Sequence, residues 1–199
     1  MFVRKFKSWK MKNSKLFEEK IAIREKTKRN KRLVIAGLIS SMVYLIGILV
    51  TVGILTVKMD QNCLGHLKRA ADASSIETAD QELSVAIGYL EKEGLTKGYT
   101  SIFWQTPDED IEFWYKNIKS AKEEIESLPK NSSPLEKSNM LLKLRETLLD
   151  HGDKGSESIT CPDGISRYPN NILFLVLFLS SFGLIFFFTR KAIISSDIF

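Results

Sequence analysis

Two long apolar runs dominate the pattern of hydrophobic and polar positions along the chain. Residues 33–57 carry no ionisable side chain except Tyr44, and residues 172–189 carry none. A helix needs about 20 apolar residues, within a range of about 17–25, to cross the hydrocarbon core of a bilayer. Both runs meet this requirement, so we predict a transmembrane helix over each.

The alternative, two buried helices of a soluble protein, is disfavoured because so small a protein cannot cover both segments on every side. The second run is short, but Arg190 and Lys191 can extend to the headgroups at one end and Tyr168 can lie at the other interface. The first run exceeds the apolar core of a cleaved signal peptide, which has about 7–15 residues. We therefore predict that residues 33–57 form an uncleaved signal anchor.

Between the runs, the first amphipathic segment predicts a helix from about Ser74 to Gly94. Ser74 can cap this helix with Glu77 as its partner, and Gly94 fits the left-handed residue that follows a helix. The helix can also run back through residues 64–71 into the first span. Its apolar positions recur at helical spacing and are Ile76, Ala79, Leu83, Ala86, Ile87 and Leu90.

Two further helices are predicted from capping motifs with proline at the first helical position. The second opens at residues 106–109 (Thr-Pro-Asp-Glu) and stops at Pro129. The third opens at residues 133–136 (Ser-Pro-Leu-Glu) and closes at Gly152. The expected buried positions are Ile111, Trp114, Ile118, Ala121, Ile125 and Leu128 in the second, and Leu135, Leu141, Leu144 and Leu148 in the third.

These elements predict an all-α membrane protein, in which two transmembrane helices flank an extracytoplasmic antiparallel helical bundle. The expected segments are a basic amphipathic cytoplasmic segment, transmembrane helix 1, an extracytoplasmic helical domain, transmembrane helix 2 and a short cytoplasmic tail. They cover residues 1–32, 33–57, 58–171, 172–189 and 190–199, respectively.

Charge is segregated along the chain, whose formal net charge is +5. Residues 1–32 hold thirteen Lys and Arg against three Glu, whereas residues 58–171 hold fourteen against twenty acidic side chains. Because cytoplasmic loops carry the excess of basic residues, we place both termini in the cytoplasm and residues 58–171 outside. The expected location is a bacterial plasma (inner) membrane.

The basic N-terminal segment carries aromatic residues at helical spacing, which is typical of a helix that lies on an anionic lipid surface. A plain topology signal and a specific anionic partner are the alternatives, and no nucleic-acid partner is expected. The residues expected to contact the membrane surface are Phe2, Phe6, Trp9, Lys5, Lys7 and Lys10.

Cys63 and Cys161 lie near the two ends of the predicted outer domain. An oxidising compartment allows them to form a disulfide, and closing a loop of about a hundred residues contributes ~4–5 kcal/mol in the chain-entropy model. Two unpaired thiols are the alternative. A metal site is not expected, because the histidines that could join them, His66 and His151, lack the required spacing.

Aromatic residues are unusually dense around residues 99–115. The helical spacing of Trp114 indicates a core position, but its neighbours cannot all share that face. Packing between bundle and loop, a partner site and the lipid interface are the three interpretations. The candidate partner surface consists of Tyr99, Phe103, Trp104, Phe113 and Tyr115.

Acidic residues 108–112 and two histidines are the other groups with potential chemistry. Acidic side chains in a first helical turn are favoured by the helix dipole, so a helix start explains that cluster better than a cation site. His66 is expected at the surface, since no nucleophile or acid is placed beside it by sequence. We therefore nominate no catalytic residue, metal ligand or cofactor.

Small residues recur within both spans and can bring helices close together in lipid. They pack either the two spans of one chain or two copies of the chain, so a homo-oligomer is a further hypothesis. The positions concerned are Gly37, Ser41, Gly47, Thr51, Ser180, Ser181 and Gly183.

The predicted function is that of a non-catalytic integral membrane protein, an interaction, scaffold or sensor-like subunit that acts through its outer domain. The plan resembles that of bacterial sensory receptors, although only residues 191–199 would remain for cytoplasmic output. The expected partners are the lipid bilayer and another membrane or envelope protein. The alternatives are an oligomeric pore or transport accessory protein and a membrane-bound enzyme.

Overall fold

The structure, a computed structural model, describes the backbone of residues 2–151 and 157–196 and the side chains of residues 16–150 and 157–194. It is mostly helical. The described helices are α1 (Phe2–Met59), α2 (Gly65–Ala71), α3 (Ile76–Lys92), α4 (Ile111–Ser127), α5 (Pro134–Leu148) and α6 (Asn171–Ser196). Two short strands, β1 (Leu149–His151) and β2 (Glu157–Ile159), pair antiparallel.

Two helices are long and apolar enough to cross a membrane, as the apolar runs predicted. The first apolar run lies within α1 and the second within α6. Large apolar side chains such as Ile39 and Ile172 are exposed along both helices. Contacts divide the chain into two compact units, one of residues 1–48 with 176–199 and the other of residues 49–175.

Within the first unit, small side chains of α1 and α6 are buried where the two helices meet. Ser41 and Ser181 are almost fully buried, and the hydroxyls of Tyr44 and Ser180 lie 3.2 Å apart. A Cβ atom at Gly37 would overlap the ring of Phe188. Small residues therefore pack α1 against α6 within one chain.

In the second unit, a π-helical turn (Asp60–Leu64) joins α1 to α2. A Cβ atom at Gly65 would lie 2.7 Å from the carbonyl oxygen of Asp60, so this turn requires glycine there. The helical segment that continues from the first apolar run through the π-helical turn and α2 thus ends at Ala71. Residues 72–75 separate it from α3. The prediction that α3 continues back into the first span is therefore wrong, although helical structure does extend from the first apolar run to Ala71.

The α3 helix confirms the predicted apolar stripe and corrects the predicted cap. Ser75, rather than Ser74, is the N-cap, and its hydroxyl accepts a hydrogen bond from the Thr78 amide. Ser75 has the extended backbone that an N-cap requires. Gly94 follows the helix with φ 72°, as predicted.

The α4 helix begins later than its sequence motif indicates. Residues 107–109 form a separate 3₁₀ turn, and Asp110 is the N-cap because its carboxylate accepts hydrogen bonds from the amides of Glu112 and Phe113. Thr106 makes no capping bond to the backbone. The core positions Ile111, Trp114, Ile118 and Ile125 are buried.

The α5 helix confirms the predicted capping box between Ser133 and Glu136. Leu144 and Leu148 are buried, but Leu135 is exposed, so its assignment to the core is wrong. Pro134 and Leu135 form the first turn, which lies outside the hydrophobic core cluster.

The end of α5 also departs from the sequence expectation. The helix stops at Leu148 and gives way to β1, where Leu149 pairs with Ile159 of β2. Leu148 and Leu149 are both buried, Leu148 as the last residue of α5 and Leu149 as the first residue of β1. The expectation of an all-α fold therefore misses this two-stranded sheet, and the predicted stop at Gly152 lies outside the described residues.

Helices α2, α3, α4 and α5 share one hydrophobic core with the π-helical turn. Ion pairs link them around this core: Lys122 with Asp80, Lys143 with Glu124, Arg145 with Asp72, and Lys58 with Glu93. The last pair joins the end of α1 to the residue after α3. The segment that follows Glu93 therefore starts beside the end of the first apolar run.

Candidate functional site

The segment that joins α3 to α4 is held at both ends by backbone hydrogen bonds. The Ile111 amide donates to the Gly98 carbonyl at 2.9 Å, and the Thr100 amide donates to the Glu109 carbonyl at 3.1 Å. Tyr99 and Asp110 thus form an isolated antiparallel bridge. Residues 101–108 consequently project as a closed loop whose base is fixed, and we call residues 101–105 the aromatic loop.

The base of this loop rests on the start of α6. The Asn171 side-chain amide donates to the Thr100 carbonyl at 2.5 Å, and both residues are buried. Gly98 has φ 105°, and a Cβ atom there would overlap the Tyr168 hydroxyl oxygen. The second apolar run begins at the residue after Asn171, so the loop base adjoins its first turn.

The side chains of the aromatic loop are exposed. Phe103 is 73% and Trp104 80% exposed, and their ring centroids lie 5.8 Å apart. Phe113, in the first turn of α4, is 62% exposed. These three side chains therefore do not pack into the bundle, which was the first of the three sequence interpretations.

The two tyrosines of the candidate partner surface are placed differently. Tyr99 is exposed at the base of the loop, whereas Tyr115 packs partly against the core. The Tyr115 hydroxyl donates to Glu91 at 2.6 Å, and this hydrogen bond to a carboxylate raises the pKa of the tyrosine to about 12. Tyr115 thus has a structural partner within the chain.

Trp114 has the core position that its spacing predicted. It is buried, and its indole nitrogen donates to the Thr160 carbonyl. The Thr160 amide in turn donates to the Leu148 carbonyl at 2.9 Å. This chain of hydrogen bonds connects α4, α5 and the segment before α6.

The two cysteines are neighbours in the core cluster, and both are free thiols in the structure. Cys63 is fully buried, and burial, together with the nearby Cys161, raises its pKa to about 12. Cys161 is less buried, and burial followed by the charges of Asp163 and Asp60 raises its pKa too. The predicted bridge between them stays a prediction.

His66, which we expected at the surface, is partly exposed, with 24% of its side chain accessible, and it takes part in a polar cluster with two other side chains. Its Nδ1 lies 2.5 Å from the Glu82 carboxylate, which also contacts Arg69 at 2.5 Å. Glu82 is buried in α3, whereas Arg69 is exposed. The charge of Glu82 is thus compensated inside the second unit, which gives the cluster a structural role.

The acidic residues 108–112 serve the start of α4. Asp110 caps the helix, and Glu109 accepts a hydrogen bond from the Thr106 hydroxyl at 2.8 Å. Among the residues that the structure describes, no group of three or more His, Cys, Asp or Glu side chains could hold a metal ion. Helix capping accounts for the acidic cluster.

The residues predicted to contact the membrane surface, Phe2 to Lys10, belong to α1, but their side chains lie outside the described ones. Sequence reasoning also missed the role of Asn171 and Thr100. Asparagine directly before an apolar run is a common helix start, and nothing in the sequence pairs it with a residue 71 positions away. Comparison with protein-family models, curated proteins and solved structures gave no match for this chain.

Proposed function

We propose that this protein is a non-catalytic integral membrane protein that crosses a bilayer twice and acts through contacts of an outer helical domain. In this arrangement both termini lie in the cytoplasm, and residues 58–171 form an antiparallel bundle on the other side of a bacterial plasma membrane. The contact surface is the aromatic loop with Phe113. Its partners are components of the membrane or envelope.

The membrane assignment is supported by two apolar helices whose large side chains are exposed rather than covered by protein. In water this surface would be unfavourable, whereas in hydrocarbon it matches the solvent. The orientation is supported by the basic residues before the first apolar run and by Arg190 and Lys191 after the second.

The antiparallel arrangement is supported by contacts at opposite ends of the helices. Glu93, just after α3, contacts Lys58 at the end of α1, so α3 returns toward the first apolar run. Ile111, the first residue of α4, bonds to Gly98 nearby, and α4 then leads away again. The pair of Lys143 and Glu124 brings α5 back along α4.

The observation that carries the functional proposal is the exposure of Phe103 and Trp104 on a loop with a fixed base. Exposed, contiguous aromatic side chains are typical of contact surfaces, and a fixed base limits the entropy lost on contact. The alternative of an oligomeric pore gains nothing from Ser41 and Ser181, because these two buried residues pack α1 against α6 within one chain.

Site-specific photocrosslinking in native membranes tests this proposal. A photoreactive residue in place of Trp104 should give crosslinks to a membrane component, either lipid or protein. The same residue in place of Lys130, which is exposed on the turn between α4 and α5, is the matched control and should give far fewer. Equal crosslinking from both positions, or none from position 104, would contradict the assignment of the contact surface.

The proposed disulfide between Cys63 and Cys161 depends on the same proposed location of residues 58–171 outside the cytoplasm. In the oxidising compartment, two thiols lose two protons and two electrons to a disulfide oxidant, and one S–S bond forms. The bridge would tie the π-helical turn to the segment before α6. Intact-mass measurement of the chain from native membranes, before and after reduction, tests for it through the two hydrogens that reduction adds.

A further inference from the structure

The aromatic loop has a composition that separates it from the rest of the outer domain. Residues 98–106 (Gly-Tyr-Thr-Ser-Ile-Phe-Trp-Gln-Thr) carry no charged side chain, although this domain is rich in acidic and basic residues. The nearest charges in the sequence are Lys97 before this stretch and the carboxylates of Asp108 and Glu109 after it. The stretch itself therefore offers anionic lipid no positive charge, and its own contact with lipid depends on apolar and dipolar interactions.

The position of the loop is fixed relative to the second apolar run. Thr100 is hydrogen bonded to Asn171, the first residue of α6, and the apolar run starts at Ile172. Trp104 is four positions after Thr100, so even a fully extended chain keeps the Cα atoms of these two residues within about 14 Å of each other. Trp104 therefore lies close to the level at which α6 would enter the hydrocarbon.

Adjacent tryptophan and phenylalanine side chains are chemically suited to the boundary between headgroups and hydrocarbon. Trp side chains are enriched at the membrane–water interface, because the ring is apolar and the indole N–H needs a polar partner. The indole of Trp114 has such a partner in the Thr160 carbonyl, whereas Trp104 is 80% exposed. In the headgroup zone, lipid oxygens can accept a hydrogen bond from the Trp104 indole N–H, and the upper acyl chains can cover its apolar ring.

We propose that Phe103 and Trp104 insert into the headgroup zone of the bilayer that the chain itself spans, and so dock the outer domain on the membrane surface. This inference rests on the proposed two-span topology and names the partner of the aromatic loop as lipid. The contact requires no anionic lipid and no second protein. It fixes the loop base, Asn171 and the first turn of α6 as one membrane-anchored corner of the domain.

The test is quenching of Trp104 fluorescence in the full chain, reconstituted in phosphatidylcholine vesicles. Subtracting the emission of a Trp104→Phe variant removes the shared signals of Trp9 and Trp114 and isolates Trp104. We expect this difference emission to be strongly reduced by phosphatidylcholine brominated near the top of its acyl chains. It should respond little to iodide present on both sides of the vesicle.

A matched control places the reporter on an equally apolar but distant position. Leu135 is 69% exposed and follows α4, whose seventeen residues span about 25 Å from the loop base. Leu135→Trp in the Trp104→Phe background should be quenched by iodide and not by brominated lipid. If Trp104 behaves like this control in vesicles, lipid insertion is wrong.

Two further outcomes separate lipid contact from contact with a protein and from an inverted topology. Trp104 that is open to iodide in pure lipid but shielded in native membrane vesicles would identify a protein as its partner and overturn the lipid proposal. Failure of the topology is detected independently, because a thiol label added to sealed cells reaches Asn131→Cys only if the domain is outside. Quenching by brominated lipid together with an unlabelled Asn131→Cys would overturn the orientation and leave the lipid contact standing.

Discussion

At the scale of single residues, Gly65 decides whether the π-helical turn between α1 and α2 can form. Its amide donates to the Asp60 carbonyl five residues earlier, and this close approach leaves no room for a Cβ atom. The turn matters because it carries Cys63 into the core. π-Helical turns cost stability and persist where they place a particular side chain.

Gly65→Ala should therefore lower the free energy of unfolding by about 1–3 kcal/mol, the usual cost of forcing an extra carbon into a packed site. Gly88→Ala is the matched control, because Gly88 lies in α3 with open space around its Cβ position. The control should stabilise the protein by about 0.5–1 kcal/mol through helix propensity. Chemical unfolding of the detergent-solubilised chain measures both, and equal effects would refute the steric argument.

The raised pKa of Cys63 predicts a loss of stability in alkali for the reduced protein. The folded state holds this thiol proton up to a pKa of about 12, whereas an exposed thiol releases it from its ordinary value of 9.0. The folded state thus binds more protons between these values, so stability falls as pH rises from about 9 toward 12. Cys63→Ala should reduce that slope in unfolding experiments at increasing pH, because only the raised pKa values of groups such as Cys161 and Tyr115 then remain, and an unchanged slope would exclude Cys63 as a source.

At the scale of helices, the packing of α1 against α6 depends on small side chains. The contact between Gly37 and the Phe188 ring, the buried Ser41 and Ser181, and the pair of Tyr44 and Ser180 all lie in the first unit. Lipid offers no hydrophobic force between helices, so close packing and hydrogen bonds must hold them together.

Gly37→Leu should separate these helices, because its side chain would overlap the Phe188 ring. We expect a loss of about 1–3 kcal/mol, seen as a lower midpoint of thermal unfolding in detergent. Gly53→Leu serves as the control, since nothing lies within 4 Å of a Cβ atom there. A result in which both variants unfold alike would argue against packing at Gly37.

The helix starts illustrate how much of the fold could be predicted from the sequence. The Ser133–Glu136 box was predicted correctly because both of its hydrogen bonds join residues within one helical turn. The motif at Thr106 failed because the bridge between Tyr99 and Asp110 keeps residue 110 extended, and a helix cannot pass through an extended residue. That bridge joins backbone groups of a loop without periodicity, so no local pattern indicates it.

In the candidate site, too, the features that depend on local sequence were predicted and those that depend on distant contacts were not. The aromatic residues were identified as a group from their density, and Trp114 was correctly assigned to the core. Which of the others face outward depends on the fixed base of the loop, and therefore on the contact between Thr100 and Asn171. Contacts between residues so distant in sequence are set by the packing of whole helices.

At the scale of the whole molecule, the distribution of charge and the two apolar runs support the proposed orientation in a bilayer. The basic segment before residue 33 opposes translocation of the N-terminus, and the acidic segment 58–171 does not. The proposed disulfide and the proposed contact with envelope components require residues 58–171 to lie outside, whereas the lipid contact of Trp104 is possible on either side of the bilayer. Orientation is therefore the claim on which the functional account depends.

Thiol labelling in sealed cells measures this orientation directly. In a Cys161→Ser background, Cys63 remains buried with a raised pKa and should not react. A membrane-impermeant maleimide should then label Asn131→Cys in intact cells and label Ser14→Cys only after the membrane is opened. Labelling of Ser14→Cys in intact cells, with Asn131→Cys protected until the membrane is opened, would contradict the account.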